Sequence, residues 1–180
     1  MNKTKVINLI GGPGSGKSTT AAGLFSEMKM RGYNVELSLE FAKDLVYEGR
    51  NETFKDELYI FGKQAHSLFR LDGKVDYIIT DRPLIMSQVY NEYYSKRTNS
   101  KKWNIDFNAL VKDTWDRYDN TTIFLTRKKP FISTGRNENE IQAKELDKLF
   151  KKFLNKNNIP YITVDGDNNA VTKIIELLKL

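Results

Sequence analysis

The chain has 180 residues, enough for one domain with a single buried core. With 39% hydrophobic and 29% charged residues it is neither a disordered chain nor a membrane span, and no apolar run approaches the ~20 residues that a transmembrane helix requires. A formal charge of +6 reads either as attraction to an anionic partner, nucleotide or nucleic acid, or as a lysine-rich solvated surface. The chain has no cysteine, which excludes disulfides and thiolate metal sites and fits a reducing compartment. Residues 1–5 lead directly into a strand-like run without the apolar stretch of a secretory signal, so the cytoplasm is the expected location.

Strands and helices alternate along the chain. Residues 5–10 (KVINLI) form a β-rich run ending at glycine, and residues 19–31 suit a helix closed by Gly32. Residues 34–39 alternate apolar and polar side chains as a half-buried strand does, and a short helix is expected over 41–47. Leu58, Phe61, Ala65, Leu68 and Phe69 predict a helix over 53–71. Residues 76–80 (DYIIT) read as a buried strand, and a helix follows Pro83 to about residue 95, proline being well tolerated in a first turn. Residues 96–102 read as a basic loop, 106–118 as helix and 121–126 as strand. An exposed loop over 127–139, with Pro130 and Gly135, precedes a charged helix over 140–155, a strand over 161–164 and a terminal helix over 170–180. This order predicts an α/β fold, a parallel five-stranded sheet with helices on both faces and ligands at the carboxyl ends of the strands. Gly11, Glu40, Asp81 and Arg127 each follow a predicted strand and therefore fall along that one edge.

Gly11-Gly12-Pro13-Gly14-Ser15-Gly16-Lys17-Ser18-Thr19 matches the Walker A pattern, between a strand and a helix as its mechanism requires. The glycines let backbone N–H groups turn inward around phosphates, and the following helix adds the positive end of its dipole. Gly12, Gly14, Ser15, Gly16, Lys17, Ser18 and Thr19 are thus the expected ATP contacts. Lys17 is expected to reach the β- and γ-phosphates, and Ser18 to supply a hydroxyl to Mg²⁺. Asp81, closing the DYIIT strand, reads as the second carboxylate of a P-loop metal site or as a helix cap before Pro83. Arg82 beside it is suited to stabilise charge on a transferring phosphoryl group.

The run from Ile78 through Asp81-Arg82-Pro83 to Tyr90 resembles the Asp-Arg segment of thymidylate kinases and deoxynucleoside kinases. With the Walker A loop, an acid after strand two and an arginine-bearing segment after strand four, the resemblance extends over most of the chain. It is also similar to small P-loop kinases of tailed bacteriophages and to the nicotinamide riboside kinase domain of bacterial bifunctional proteins. Pro83 stands where thymidylate kinases have an aromatic residue and deoxynucleoside kinases a serine. The resemblance implies a single kinase domain over residues 1–180. It implies that Glu40 is the base accepting a hydroxyl proton; the residue also reads as a first-turn acid complementing a helix dipole. It implies that the 53–71 helix covers the acceptor, with Tyr59 and Gln64 as candidate contacts or as ordinary packing. It further implies a lid over about 127–139, in which Arg127 and Arg136 close over phosphates, guanidinium being suited to phosphate oxygens; a solvated basic loop is the other reading. Residues 164–167 (VDGD) are expected to border the adenine, and His66, without a partner at metal-ligand spacing, reads as structural.

Other P-loop classes fit less well. No Asn-Lys-x-Asp motif of GTPases and no Ser-Gly-Gly-Gln signature of ABC ATPases occurs, and the length argues against the helical subdomain of an AAA+ machine. The expected function is transfer of the ATP γ-phosphoryl group to a nucleoside- or nucleotide-type acceptor, by an enzyme of a class often dimeric. The alternative is phosphorylation of a hydroxymethylated base in DNA, as some phage P-loop kinases perform, motivated by the net charge and the basic segment 96–102. A third reading is an ATP-gated binding module signalling to a protein partner.

Overall fold

Val6 and Ile10 project from one face of their strand and Ile7 and Leu9 from the other, as a two-residue period dictates, and all four are buried. A strand buried on both faces belongs inside a parallel sheet covered by helices. The computed structural model, which describes residues 3–95 and 100–180, has that architecture. Its elements run β1 (Lys5–Ile10), α1 (Lys17–Met30), β2 (Val35–Ser38), α2 (Ala42–Tyr47), a 3-10 turn (Asn51–Lys55), α3 (Glu57–Phe69), β3 (Tyr77–Thr80), α4 (Met86–Ser95), α5 (Lys101–Asp116), β4 (Asp119–Thr126), α6 (Glu140–Lys156), β5 (Ile162–Asp165) and α7 (Ala170–Leu178). The sheet order is β2-β3-β1-β4-β5 with every pairing parallel.

Two cores follow from the alternation. Val6, Ile10, Ile78 and Phe124 pack with α3, α4, α5 and α6, while Ile7, Leu9, Ile79, Ile123 and Leu125 pack with α1 and α7. The long helix α6 illustrates how local signals combine. Asn139 and Gln142 form a reciprocal capping box at its start, and Ala143, Leu146, Phe150 and Leu154 supply its buried stripe. Each large apolar side chain so buried contributes on the order of 1.5–3 kcal/mol. A smaller cluster of Ala42, Leu45, Phe54 and Ile60 fixes α2 and the 3-10 turn against α3.

Several expected boundaries are corrected. The 53–71 helix is broken at Asp56, whose carboxylate accepts from the Tyr59 N–H at 3.1 Å and caps α3. The buried face of α3 is Glu57, Ile60, Phe61, Gln64 and Leu68, leaving Leu58 and Phe69 exposed. Helix α4 begins at Met86, because residues 83–85 form a turn in which Pro83 C=O accepts from Met86 N–H. Helix α5 begins at Lys101, earlier than expected, since the Ser100 side chain caps it through Trp103 N–H. Of the expected basic loop 96–102, residues 96–99 lie outside the described residues. Lys101 and Lys102 are helical, and Lys102 pairs with Asp106 at 2.6 Å.

Candidate active site

The carboxyl ends of β1, β2, β3 and β4 lie at one edge of the sheet, and the segments that follow them converge there. Gly14 and Gly16 adopt φ of 80° and 100°, the left-handed region that glycine enters without a side-chain penalty. Close approach matters as well: a Cβ on Gly12 would stand 2.4 Å from the Ala143 carbonyl of α6. Helix α1 starts at Lys17 with no side-chain cap and no acid in its first turn, so its first N–H groups and dipole face the loop. Ser15 Oγ is buried without a hydrogen-bond partner among the described residues. This is an anion cradle in its chemistry.

Lys17 is buried and folds back on the loop, its Nζ donating to Gly11 C=O at 2.7 Å and Gly12 C=O at 3.2 Å. Burial lowers its pKa, against Glu40, Asp81, Asp147 and Glu138, which all raise it. Opposite, Asp81 accepts from the Ser18 hydroxyl at 2.6 Å and from the Glu40 N–H at 2.8 Å. Its carboxylate therefore serves these two groups, while α4 begins only at Met86. Burial and then the neighbouring Glu40 push the Asp81 pKa up, partly offset by Ser18 and Lys17. Ser18 and Asp81 together present two hard oxygen donors, the set that suits Mg²⁺.

Arg82 lies between two acids. One guanidinium nitrogen reaches Glu40 at 3.0 Å and the other Glu57 at 2.9 Å, and the guanidinium carbon sits 3.9 Å from the centre of the Tyr90 ring. Glu57 is 1% exposed and its pKa is pushed up by burial, with Arg82 opposing. Burial works against the Arg82 charge, but Glu57, Tyr90 and Glu40 prevail and hold it firmly protonated. The Glu40 carboxylate is thus held by Arg82, and the acid in the first turn of α2 is Asp44.

Arg127 and Arg136 both approach the loop: a Cβ on Gly14 would lie 2.9 Å from Arg136 Nη1 and 3.0 Å from Arg127 Nη1. Arg127 is tied down, donating to Asp147 at 2.9 and 3.1 Å and to Pro13 C=O at 2.8 Å, while Asp147 also accepts from Gly12 N–H at 2.6 Å. It therefore staples α6 to the loop through Asp147. Arg136 donates to Ile132 C=O and stands 5.1 Å from the centre of the Phe131 ring. Partial burial and then Arg127 lower its pKa. The segment is anchored further on: Glu138 accepts from the Tyr94 hydroxyl, and Gly135 lies against Tyr47. Lys17, Ser18, Thr19, Glu40, Arg82, Tyr90 and Arg136 line one cavity of about 190 Å³.

Neither of the two expected acceptor contacts lines this cavity. Tyr59 packs edge-on to Phe41 at 5.5 Å and does not line this cavity. Gln64 is buried, donating to Ser38 Oγ at 2.9 Å and to Thr80 Oγ1 at 3.3 Å. Five residues on a helix are about 140° apart, so the two side chains leave α3 in different directions. Gly166 lies against Ser15 of the loop and donates to Thr126 C=O at 2.8 Å, and His66 is exposed on α3. Sequence reading misses Glu57, Asp147, Tyr90 and Glu138. Glu57 reads locally as a first-turn acid, and only β3, bringing Arg82 against it, reveals its role. Asp147 is one charge among many on α6, without a distinguishing local signal.

Sheet order, glycine-rich loop and the acid ending β3 define a P-loop α/β domain. Residues 6–170 match the AAA domain family, and the chain belongs to it. No curated protein gives a significant match. The fold is that of P-loop nucleotide kinases. It is similar to the NadR protein in complex with NR, with a TM-score of 0.70 and 18% identity over 98% of this chain and 52% of that one. The chain therefore spans about half the length of that protein. It is also similar to thymidylate kinase from Candida albicans, with a TM-score of 0.57 and 17% identity over 98% of this chain and 93% of that one. At these identities the likeness is one of fold. No described helix is long and apolar enough to cross a membrane.

Proposed function

We propose that the chain is an ATP-dependent phosphotransferase, a single kinase domain that transfers the γ-phosphoryl group to a hydroxyl of a nucleoside- or nucleotide-type acceptor. The observation that carries this is the Glu40 carboxylate, held by Arg82 at 3.0 Å in the same cavity as Lys17 and Ser18. A carboxylate there can take the proton of a hydroxyl acceptor, a role that a cradle built only to hold nucleotide does not need. The loop N–H groups and Lys17 bind the phosphates, Lys17 exchanging its loop carbonyls for phosphate oxygens. Ser18 and Asp81 would hold Mg²⁺, which neutralises phosphate charge when bound. Glu40 takes the acceptor hydroxyl proton as that oxygen bonds to the γ-phosphorus; the bond from γ-phosphorus to the β-bridging oxygen breaks, leaving ADP. Arg82 aims Glu40, and Arg136, which pairs with no acid among the described residues, closes over the phosphates as part of a lid at about 127–139. The lack of cysteine supports a cytoplasmic location.

Acceptor-dependent ADP release, screened over nucleosides, nucleoside monophosphates and nicotinamide riboside, tests the reading. Release that no acceptor stimulates, from protein that binds ATP, would sink it in favour of a nucleotide-gated module.

A further inference from the structure

Strand β2 is an edge strand, and beside it runs a groove of about 690 Å³ that is distinct from the phosphate cavity but shares Ser18, Glu40 and Lys43 with it. Lys63 stands on α3 and Arg70 caps its C-terminus seven residues on, hence on one side of the helix and about 10 Å apart along it. Lys43 faces them from α2, and none of the three is ion-paired among the described residues. Of the acids lining the groove, Glu40 is held by Arg82 and Asp81 by Ser18, which leaves Asp44 alone against three cations. Leu39 and Tyr47, 53% and 67% exposed, supply apolar surface together with Phe41. A second, independent sign of a ligand is Gln64. It lines the groove at 2% exposure, its Nε2 bonded to Ser38 and Thr80 and its Oε1 buried without a hydrogen-bond partner among the described residues.

We propose that this groove is a track for single-stranded nucleic acid. Phosphates run along Lys43, Lys63 and Arg70, bases lie against Phe41 and Tyr47, and a strand hydroxyl enters at Glu40. Cations beside the exposed Tyr47 ring and the half-buried Phe41 suit a strand, because every base has a face to stack while an acidic peptide has none. Placement of the hydroxyl rests on the kinase reading: the strand oxygen bonds to the γ-phosphorus, ADP leaves, and the proton passes to Glu40. Strand binding itself does not depend on that reading.

The test is fluorescence anisotropy of a labelled oligothymidylate with the full chain, without ATP, from about 50 to 200 mM salt. Three phosphate contacts predict a log–log salt slope of about −2, so binding weakens roughly 20-fold across that range. The Lys63→Ala/Arg70→Ala variant is expected to flatten the slope to about −0.7 with ATP affinity unchanged. An unaltered slope in the variant, no binding at low salt, or equal competition by polyglutamate of the same charge overturns the track. Labelled ATP then separates the two readings. Phosphate incorporated into the strand supports the placed hydroxyl; transfer to a nucleoside without strand binding leaves the kinase intact and removes the groove.

Discussion

Glu57 and Arg82 form an ion pair at 2.9 Å in which neither side chain is more than 4% exposed. Glu57 thereby leaves one end of the guanidinium for Glu40, joining the start of α3 to the end of β3 and the end of β2. Removing one partner of such a pair strands a buried charge. Glu57→Ala is expected to lower unfolding stability by about 3–5 kcal/mol, and Glu57→Gln by less because the amide oxygen still accepts from Arg82. Urea unfolding of both variants checks this; an Ala variant as stable as wild type would show that the pair carries no weight.

Asp81 gives a pH dependence of opposite kind to an ordinary salt-bridged acid. Its folded-state pKa is raised, by burial and by Glu40, so the native protein binds its proton more tightly than the unfolded chain does. Stability therefore falls as pH rises from the ordinary aspartate range through the raised value. Without ligands at neutral pH, Asp81→Asn is expected to be more stable by ~1 kcal/mol, the difference vanishing at acid pH, while Mg²⁺-dependent ATP binding weakens. Unfolding midpoints across pH measure it, and a less stable Asn variant at neutral pH would contradict the assignment.

Lys17 and Glu40 share a cavity yet separate binding from chemistry. Lys17→Ala is expected to weaken ATP by about 2–3 kcal/mol, roughly 30- to 150-fold, through loss of charge-assisted bonds. Glu40→Gln is expected to leave ATP affinity within about twofold and to lower acceptor-dependent turnover by on the order of 10²- to 10⁴-fold. Calorimetry and ADP release distinguish them; undiminished turnover in Glu40→Gln would end its role as base.

Asp147 is predicted to preserve the shape of the phosphate loop from a distance in sequence. Its carboxylate joins Gly12 N–H to Arg127, which in turn reaches Pro13. Asp147→Ala is expected to cost about 1.5–3 kcal/mol and to speed amide exchange at residues 11–16. Unchanged exchange there would mean that the loop holds itself.

Local chemistry made much of this legible. The Gly11–Thr19 pattern, the acids after β2 and β3, and the alternation of β-rich and helical runs depend on neighbours in sequence, and the structure assembles them at one sheet edge. The length of α5 was hidden because its cap, Ser100, lies inside a segment that reads as loop. The break at Asp56 was hidden because a helical apolar period continues across it.

By itself the sequence determined a parallel α/β fold with a phosphate cradle between β1 and α1, since periodicity and glycine placement act over a few residues. Only the tertiary structure decided which charges meet. Glu57 with Arg82, Asp147 with Gly12 and Arg127, and Glu138 with Tyr94 join residues 25, 135, 20 and 44 positions apart. An ion pair is set by where packed helices bring two side chains, and the spacing of letters along a chain does not encode that separation.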